Sequence, residues 1–265
     1  MAQSRQVMGL LLPVSLLVAW VVGSSLDLFS SLIPSPYAVF DIFRKWMGFK
    51  TDSIKHYYDN TWLRDLAGSM MRALVGFFIG AFAAIVLGLI VGWSRPFRWL
   101  VDPTVHLFRA VPRTALLPFV IIILGLGNAP ALALVAVGAF FQIYIQVVMG
   151  VQLVPRDLKR AAYMLGCSER QVLWRVVIPH ALPSIFAGLR LGIVYAWTML
   201  VLAEMFAVGS GFGYTLWRAF EYLQIDLLIA CVLMICICGW LSDRAVLLLM
   251  TRKIRWAAAT ADTEI

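Results

Sequence analysis

The sequence predicts an all-α polytopic membrane protein with six transmembrane helices in one domain, residues 1–265. Of the 265 residues, 62% are hydrophobic and only 14% are charged, and the mean hydropathy is +0.87. A soluble domain needs a more charged surface. Apolar runs of about 20 residues, enough to cross a bilayer, recur along the chain. The predicted spans are 8–26, 66–93, 105–124, 131–153, 184–208 and 226–250.

The first apolar run, residues 8–26, also resembles a signal peptide, because it follows Arg5 and ends in small residues. Since five further apolar runs follow it, we expect it to be retained as the first helix. The mixed segment 27–65 contains Pro34, Pro36 and several aromatic residues. This composition predicts an extramembrane region with at least partial order.

Charge predicts how the chain is oriented in the membrane. The net charge is +8, but Lys and Arg lie in short gaps between apolar runs, which favours a membrane surface over nucleic acid. Most of them, including Arg109, Arg113 and the cations of segment 155–183, fall on the side of the two termini. We therefore expect both termini and this segment to be cytoplasmic.

Cysteine and histidine predict no metal site. Three of the four cysteines lie in the last apolar run, and the three histidines are isolated from one another. Zinc sites require several such ligands at short spacing. The cysteines are therefore expected to pack as small apolar residues.

The second predicted span carries a ridge of small residues at four-residue spacing. Its members are Gly76, Gly80, Ala84, Gly88 and Gly92. Residues at this spacing share one helix face, so another backbone can approach closely. The ridge predicts a helix buried among others, either as static packing or as a gate that slides against a neighbour.

The charged insert 155–183 predicts two short helices outside the bilayer. A proline opens the first helix, and Gly166 suits its C-terminal cap. Ser168 is the predicted N-cap of the second helix, with Gln171 as its capping-box partner, and Pro179 is expected to end that helix. Such a rigid unit can insert into a groove on a soluble partner.

Within this insert the sequence resembles the coupling loop of ABC importer permeases. The family pattern is Glu-Ala-Ala, three residues, Gly, nine residues, Ile, any residue, Leu-Pro. The matching positions are Arg160, Ala161, Ala162, Gly166, Val176, Val177, Ile178 and Pro179. Arg160 stands where the family usually has Glu, which leaves open whether a salt bridge of that Glu has a counterpart here.

The resemblance extends over residues 65–256 and is similar in detail to the nitrate/sulfonate/taurine subfamily. The segments that carry it are 108–112, 117–118, 125–127, 203–205, 209–213 and 255–256. One departure is Arg113, since the subfamily often has a second proline or an apolar residue there.

This resemblance implies the type I importer fold with a cytoplasmic coupling helix, in the bacterial inner membrane. It implies a second permease copy, for which a homodimer is the simpler expectation, two cytoplasmic ATP-binding subunits and a periplasmic or lipid-anchored solute-binding protein. The chain contains no Gly-x-x-x-x-Gly-Lys-Ser/Thr loop. We therefore expect ATP and Mg²⁺ on the partner subunits and no cofactor on this chain. The resemblance to the nitrate/sulfonate/taurine subfamily implies a small, anionic solute.

Two sets of site residues follow. The expected ATPase-coupling surface consists of Arg160, Ala161, Ala162, Gly166, Ser168, Glu169, Arg170 and Pro179. The expected solute path includes Gln142, Gln146, Thr198 and Glu204, because polar side chains within spans tend to face the bundle interior. The glutamines could equally form interhelical hydrogen bonds, and Glu204 could be a gate contact or simply exposed.

Two other classes of membrane protein are less consistent with the sequence. A secondary transporter predicts internal repeats and charged sites near the membrane midplane, and neither is evident. A membrane enzyme predicts a catalytic motif such as Gly-x-Ser-x-Gly or His-Glu-x-x-His within a span, and the chain has none. No catalytic residue is therefore predicted.

Overall fold

The structure, a computed structural model, describes residues 14–15, 18–24, 34–49 and 57–253, with side chains described to residue 250. The predicted all-α fold class is confirmed, and no strand occurs among these residues. The helices are α1 (Pro36–Trp46), α2 (Trp62–Trp93), α3 (Arg95–Ala110), a 3₁₀ turn (Arg113–Ala115), α4 (Leu116–Leu124), α5 (Asn128–Gln152), α6 (Arg156–Met164), α7 (Glu169–Val172), a π segment (Leu173–Val177), α8 (Ile178–Phe206), α9 (Phe212–Glu221) and α10 (Ile225–Lys253).

Four helical runs in the described ranges are long and apolar enough to cross a bilayer, or five if the bent pair α3–α4 is one span. The four are α2, α5, α10 and the run that ends with α8. The predicted first span, residues 8–26, lies mostly outside the described residues, although 18–24 are helical. The count of six spans therefore stays a prediction.

Helix α5 is the centre of the bundle and packs between α2 and α8. All five ridge residues of α2 are buried. A Cβ atom added at Gly76 would lie 2.7 Å from Cβ of Val135, and one added at Gly92 would lie 2.7 Å from Cβ of Val151. Carbon atoms pack at about 3.5–4.0 Å, so only glycine permits this approach. The predicted burial of this helix is confirmed, whereas the choice between static packing and a sliding gate stays open.

The third predicted span, residues 105–124, is not one helix. Helix α3 ends at Ala110, the backbone is extended at Val111 and Pro112, and the helical path resumes at Arg113 with a bend of 81°. Proline lacks an amide hydrogen and disfavours helical geometry in the residue before it. A single proline therefore breaks this span inside an apolar run.

The insert continues directly into the fifth predicted span. The π segment joins α7 to α8, so that Glu169–Phe206 forms a helical run of 38 residues. Pro179 lies in the first turn of α8, where the wider π turn before it accommodates the proline ring and the missing amide hydrogen. The prediction that Pro179 ends the second helix of the insert is wrong.

The end of the bundle where α2 and α5 begin and α8 ends, which we call the far end, is closed by α1 and α9. Trp46 of α1 is fully buried. Its indole N–H donates to Thr61 Oγ1 at 3.1 Å, and its ring meets that of Phe212 edge-on at 5.7 Å. The described part of segment 27–65 thus has an ordered helix that packs on the bundle.

Candidate functional site

The insert begins with α6, which ends in the predicted glycine cap. Gly166 has a positive φ of 80°. Its N–H donates to the carbonyl of Tyr163 at 2.9 Å, and the N–H of Cys167 donates to the carbonyl of Ala162 at 3.1 Å. This pair of hydrogen bonds is a Schellman motif, and glycine adopts its left-handed conformation without strain.

Helix α7 begins with the predicted capping box. The Ser168 hydroxyl accepts from the N–H of Gln171 at 3.4 Å, and the Gln171 amide oxygen accepts from the N–H of Ser168 at 2.8 Å. At the junction between α6 and α7, the N–H groups of Gly166, Cys167, Ser168 and Gln171 therefore all have hydrogen-bond partners. This fixes how the two short helices are presented.

Most residues of the expected coupling surface are exposed. The exposed members are Arg160, Ala161, Gly166, Ser168, Glu169 and Arg170. Ala162 is only 7% exposed and packs in the hydrophobic core, while Pro179 is half-buried in α8. These two residues support the surface and do not form it. Arg160 forms an exposed pair with Asp157 at 3.6 Å, which is weak in water.

Three large apolar side chains outside the predicted coupling set complete this surface. Met164 is 87% exposed, Leu165 is 84% exposed and Trp174 is 68% exposed. Their neighbours Ala162 and Val172 take the buried face, and helices this short cannot bury both faces. Apolar side chains exposed beside charged ones are typical of a protein contact.

Lys159 joins the insert to the end of α2. Its ammonium lies 5.7 Å from the centroid of the Trp93 ring. Partial burial, together with repulsion from Arg98 and Arg156, lowers the pKa of Lys159 below that of an ordinary lysine. The Lys159–Trp93 contact therefore connects the insert directly to the end of α2.

Three of the four residues expected on the solute path are at least partly accessible. Gln142 and Gln146 are half-buried on α5, and neither side chain forms a hydrogen bond with a described residue. Among the described residues, neither glutamine therefore forms the interhelical hydrogen bond that was the alternative to a place on the path. Thr198 is exposed, and its hydroxyl donates to the carbonyl of Val194 at 3.1 Å.

A further polar residue, Arg113, lies beside Tyr195, one helical turn from Thr198, and was not among the residues predicted for the solute path. It follows the break between α3 and α4, and its guanidinium carbon lies 4.6 Å from the centroid of the Tyr195 ring. Its position among other basic residues of the sequence predicts the cytoplasmic side for Arg113. The structure instead places Arg113 beside the middle of α8. Its position inside the predicted span 105–124 was the feature of the sequence that pointed there.

Glu204 lies at the far end and is fully buried. Its carboxylate accepts from Arg72 Nη1 at 2.7 Å, from the Ser69 hydroxyl at 2.8 Å and from the N–H of Gly213 at 3.0 Å. The alternative that Glu204 is simply exposed is wrong. It does not line an accessible path in this conformation, because its partners surround it.

Arg72 links four parts of the chain around this carboxylate and is itself 4% exposed. Its Nε donates to Asn128 Oδ1 at 2.7 Å. Its other nitrogens donate to the carbonyl of Ser210 at 3.1 Å and to the Ser210 hydroxyl at 2.8 Å. Helices α2, α5 and α8 and the loop before α9 therefore meet at one guanidinium.

The same face of α2 caps α9. Asp65 Oδ1 accepts from the N–H of Gly211 at 3.0 Å, and the Ser69 hydroxyl oxygen accepts from the N–H of Phe212 at 3.0 Å. The Thr215 hydroxyl donates to Asp65 Oδ2 at 3.1 Å. We call the five buried polar residues at the far end, Asp65, Ser69, Arg72, Glu204 and Thr215, the buried polar cluster. Its signal in the sequence was the spacing of its three members on α2, which share one helix face.

In the described part of the chain, no group of three or more His, Cys, Asp or Glu side chains is placed to hold a metal ion. The four cysteines are free thiols, and Cys231 and Cys238 are buried among apolar residues.

Comparison with known proteins places these features in a family. The sequence profile of the family described as "Binding-protein-dependent transport system inner membrane component" matches residues 68–255. The chain is 33% identical over 242 residues to the taurine transport system permease protein TauC of Escherichia coli (strain K12), covering 91% of this chain and 86% of that protein. It is 33% identical over 176 residues to the nitrate import permease protein NrtB of Synechocystis, covering 66% of this chain and 64% of that protein.

Solved structures show the same fold. A chain of the MetNI methionine ABC transporter, in an inward-facing conformation, superposes with a TM-score of 0.62 at 19% identity. The match covers 72% of this chain and 95% of that chain. At this identity the likeness shows the fold alone.

Proposed function

The chain belongs to the family of binding-protein-dependent transport system inner membrane components, and we propose that it forms the membrane path for a small anionic solute of the sulfonate, taurine or nitrate class. It is a multi-pass permease subunit of an ABC importer in the inner membrane and acts with an ATPase and a solute-binding protein. ATP hydrolysis resides on the separate ATPase subunit. The names of its relatives, which refer to taurine and nitrate, support the solute class.

The insert is the proposed coupling site. The observation that carries this proposal is the exposed surface of α6 and α7, where Met164 and Leu165 stand beside Arg160, Glu169 and Arg170. A groove on the ATPase subunit would bury the apolar side chains and pair with the charged ones. Because cytoplasmic loops carry excess Lys and Arg, the insert and both termini are proposed to lie in the cytoplasm.

The proposed assembly contains two identical permease chains, two ATPase subunits and one periplasmic or lipid-anchored binding protein. One chain leaves the face of α8 that bears Tyr195 and Thr198 open, so a second copy is needed to enclose a path. ATP and Mg²⁺ are proposed to bind on the ATPase subunits, with no resident cofactor on this chain.

Replacement of Met164 by Glu tests the coupling site. Because this side chain is 87% exposed, the change should leave the fold intact and place an unpaired charge in the contact. We expect ATPase activity of the permease–ATPase complex in liposomes, stimulated by binding protein and solute, to fall at least about tenfold, the effect of ~1.4 kcal/mol. Gly166→Asp should act in the same direction, with added backbone strain.

The matched control is Tyr37→Glu, which changes an apolar side chain that is 77% exposed on α1. The two variants are compared for assembly with the ATPase subunit, by co-purification, and for stimulated ATPase activity. Loss of activity in Met164→Glu alone supports the proposal. Normal stimulation in Met164→Glu would show that the insert is not the coupling site.

The sequence also left a secondary transporter open. That class is not supported, because the family and the fold are those of ABC importer permeases. An importer of this family needs its partner subunits for uptake, so uptake by the permease chain alone in liposomes would contradict the assignment.

A further inference from the structure

We propose that Arg113, Tyr195 and Thr198 form an oxyanion-binding site halfway across the membrane. This inference rests on the proposed function and names the part of the path that would recognise the charge of the solute. It starts from the break between α3 and α4, where Val111 and Pro112 are extended. Non-helical backbone at membrane depth is tolerated only where it is buried in protein or lines water.

The depth of this site follows from the helix geometry. Tyr195 precedes the end of α8 at Phe206 by eleven residues, which is about 17 Å along the axis. Its carbonyl oxygen would lie 3.1 Å from a Cβ atom added at Gly138, and Gly138 is ten residues, about 15 Å, from the start of α5. The hydrocarbon core is about 30 Å thick, so Arg113 lies near its middle.

The Arg113 side chain keeps its hydrogen-bonding capacity. Its guanidinium lies over the Tyr195 ring and forms no hydrogen bond or ion pair with any described residue. A guanidinium has five N–H donors in a planar fork that matches oxyanions in two-point contact. A cation within the membrane faces the bundle interior or a water-filled space rather than lipid.

The neighbouring face of α8 is open and partly polar. Tyr195 is 38% exposed and Thr198 is exposed. Their neighbours Ala196 and Trp197 are buried on the other side of the helix. The open face thus adds the Tyr195 hydroxyl to the guanidinium, and the Thr198 hydroxyl can donate to an anion by leaving the Val194 carbonyl. Because no carboxylate of the described residues pairs with Arg113, these donors favour sulfonate, nitrate or a similar oxyanion over a cation.

The test uses a thiol introduced by Thr198→Cys in the purified importer complex and two reagents of similar size and opposite charge. These are 2-sulfonatoethyl methanethiosulfonate and 2-(trimethylammonio)ethyl methanethiosulfonate. We expect the sulfonate reagent to react faster, and we expect excess ethanesulfonate to slow it. Adding Arg113→Gln should lower the ratio of the two rates about tenfold or more, because one nearby charge is lost. Arg113→Lys, which keeps the charge, should preserve the preference.

Reactivity of the native thiols is measured in the parent complex and subtracted, and each rate is taken with and without ATP to sample both states of the path. Equal rates for the two reagents, or a ratio unchanged by Arg113→Gln, would overturn the site. So would a thiol that reacts with neither reagent in either state. These results are independent of the Met164→Glu experiment, so the site can fail while the proposed function stands.

Discussion

Two arginines of the membrane domain, Arg72 and Arg113, lie in opposite environments. Arg72 is 4% exposed and donates four hydrogen bonds, one of them within its ion pair with Glu204. Arg113 is half-buried, lies over one aromatic ring and makes no hydrogen bond with a described residue. An arginine thus uses most of its N–H donors at the far end of the bundle, whereas another, in the middle of the bundle, keeps its donors available.

The difference shows that partners, rather than depth or composition, distinguish a structural cation from a ligand-binding one. A buried ion pair loses hydration on both ions, so its net contribution to stability is small, yet removal of one partner is costly. Arg72 therefore fixes which helices meet at the far end. An arginine whose donors are free adds little to the fold and can exchange water for an anion.

The largest expected effect comes from Glu204→Leu. This change leaves the Arg72 guanidinium buried without its counter-ion, which costs about 3–5 kcal/mol in soluble proteins. We expect a large fall in the apparent unfolding midpoint of the detergent-solubilised protein, measured by intrinsic fluorescence. Weaker expression in membranes should accompany it.

The double variant Arg72→Met/Glu204→Leu is its control. With both charges removed, the unpaired guanidinium is gone, and we expect the midpoint to recover by more than half of the loss in Glu204→Leu. A double variant no more stable than the single one would mean that packing of the Glu204 side chain, rather than charge pairing, holds the far end.

An intermediate effect is expected from Gly76→Ala on the ridge of α2. The added methyl group would lie 2.7 Å from Val135 Cβ, and overpacking of this kind costs about 1–3 kcal/mol. Gly209→Ala is the matched control, because an added Cβ there meets nothing within 4 Å. Equal unfolding midpoints of the two variants would show that α2 and α5 can separate without loss, as a sliding gate requires.

How far the sequence anticipated the molecule depends on the range of the interactions. The caps at Gly166 and Ser168 are local, so their residue types alone predicted them. Arg72 and Glu204 are 132 residues apart in sequence, and nothing local to either residue shows that they meet. Arg113 was misplaced for a related reason: its side was assigned from its neighbours in sequence, whereas the break at Pro112 carries it to the middle of α8.

The smallest effect on stability is expected from Arg113→Gln. Since the Arg113 guanidinium has no hydrogen bond to lose among the described residues, its removal leaves no buried group unpaired. Its cation–π interaction with Tyr195 is worth about 0.5–1 kcal/mol when exposed, and relief of the cost of a charge within the membrane offsets the removal of that interaction. The free energy of unfolding should therefore change by no more than about 0.5 kcal/mol in either direction. The free energy of unfolding of Arg72→Gln should instead fall nearly as far as that of Glu204→Leu. If Arg113→Gln instead unfolds as readily as Arg72→Gln, Arg113 has a structural partner of its own, and the contrast between the two arginines disappears.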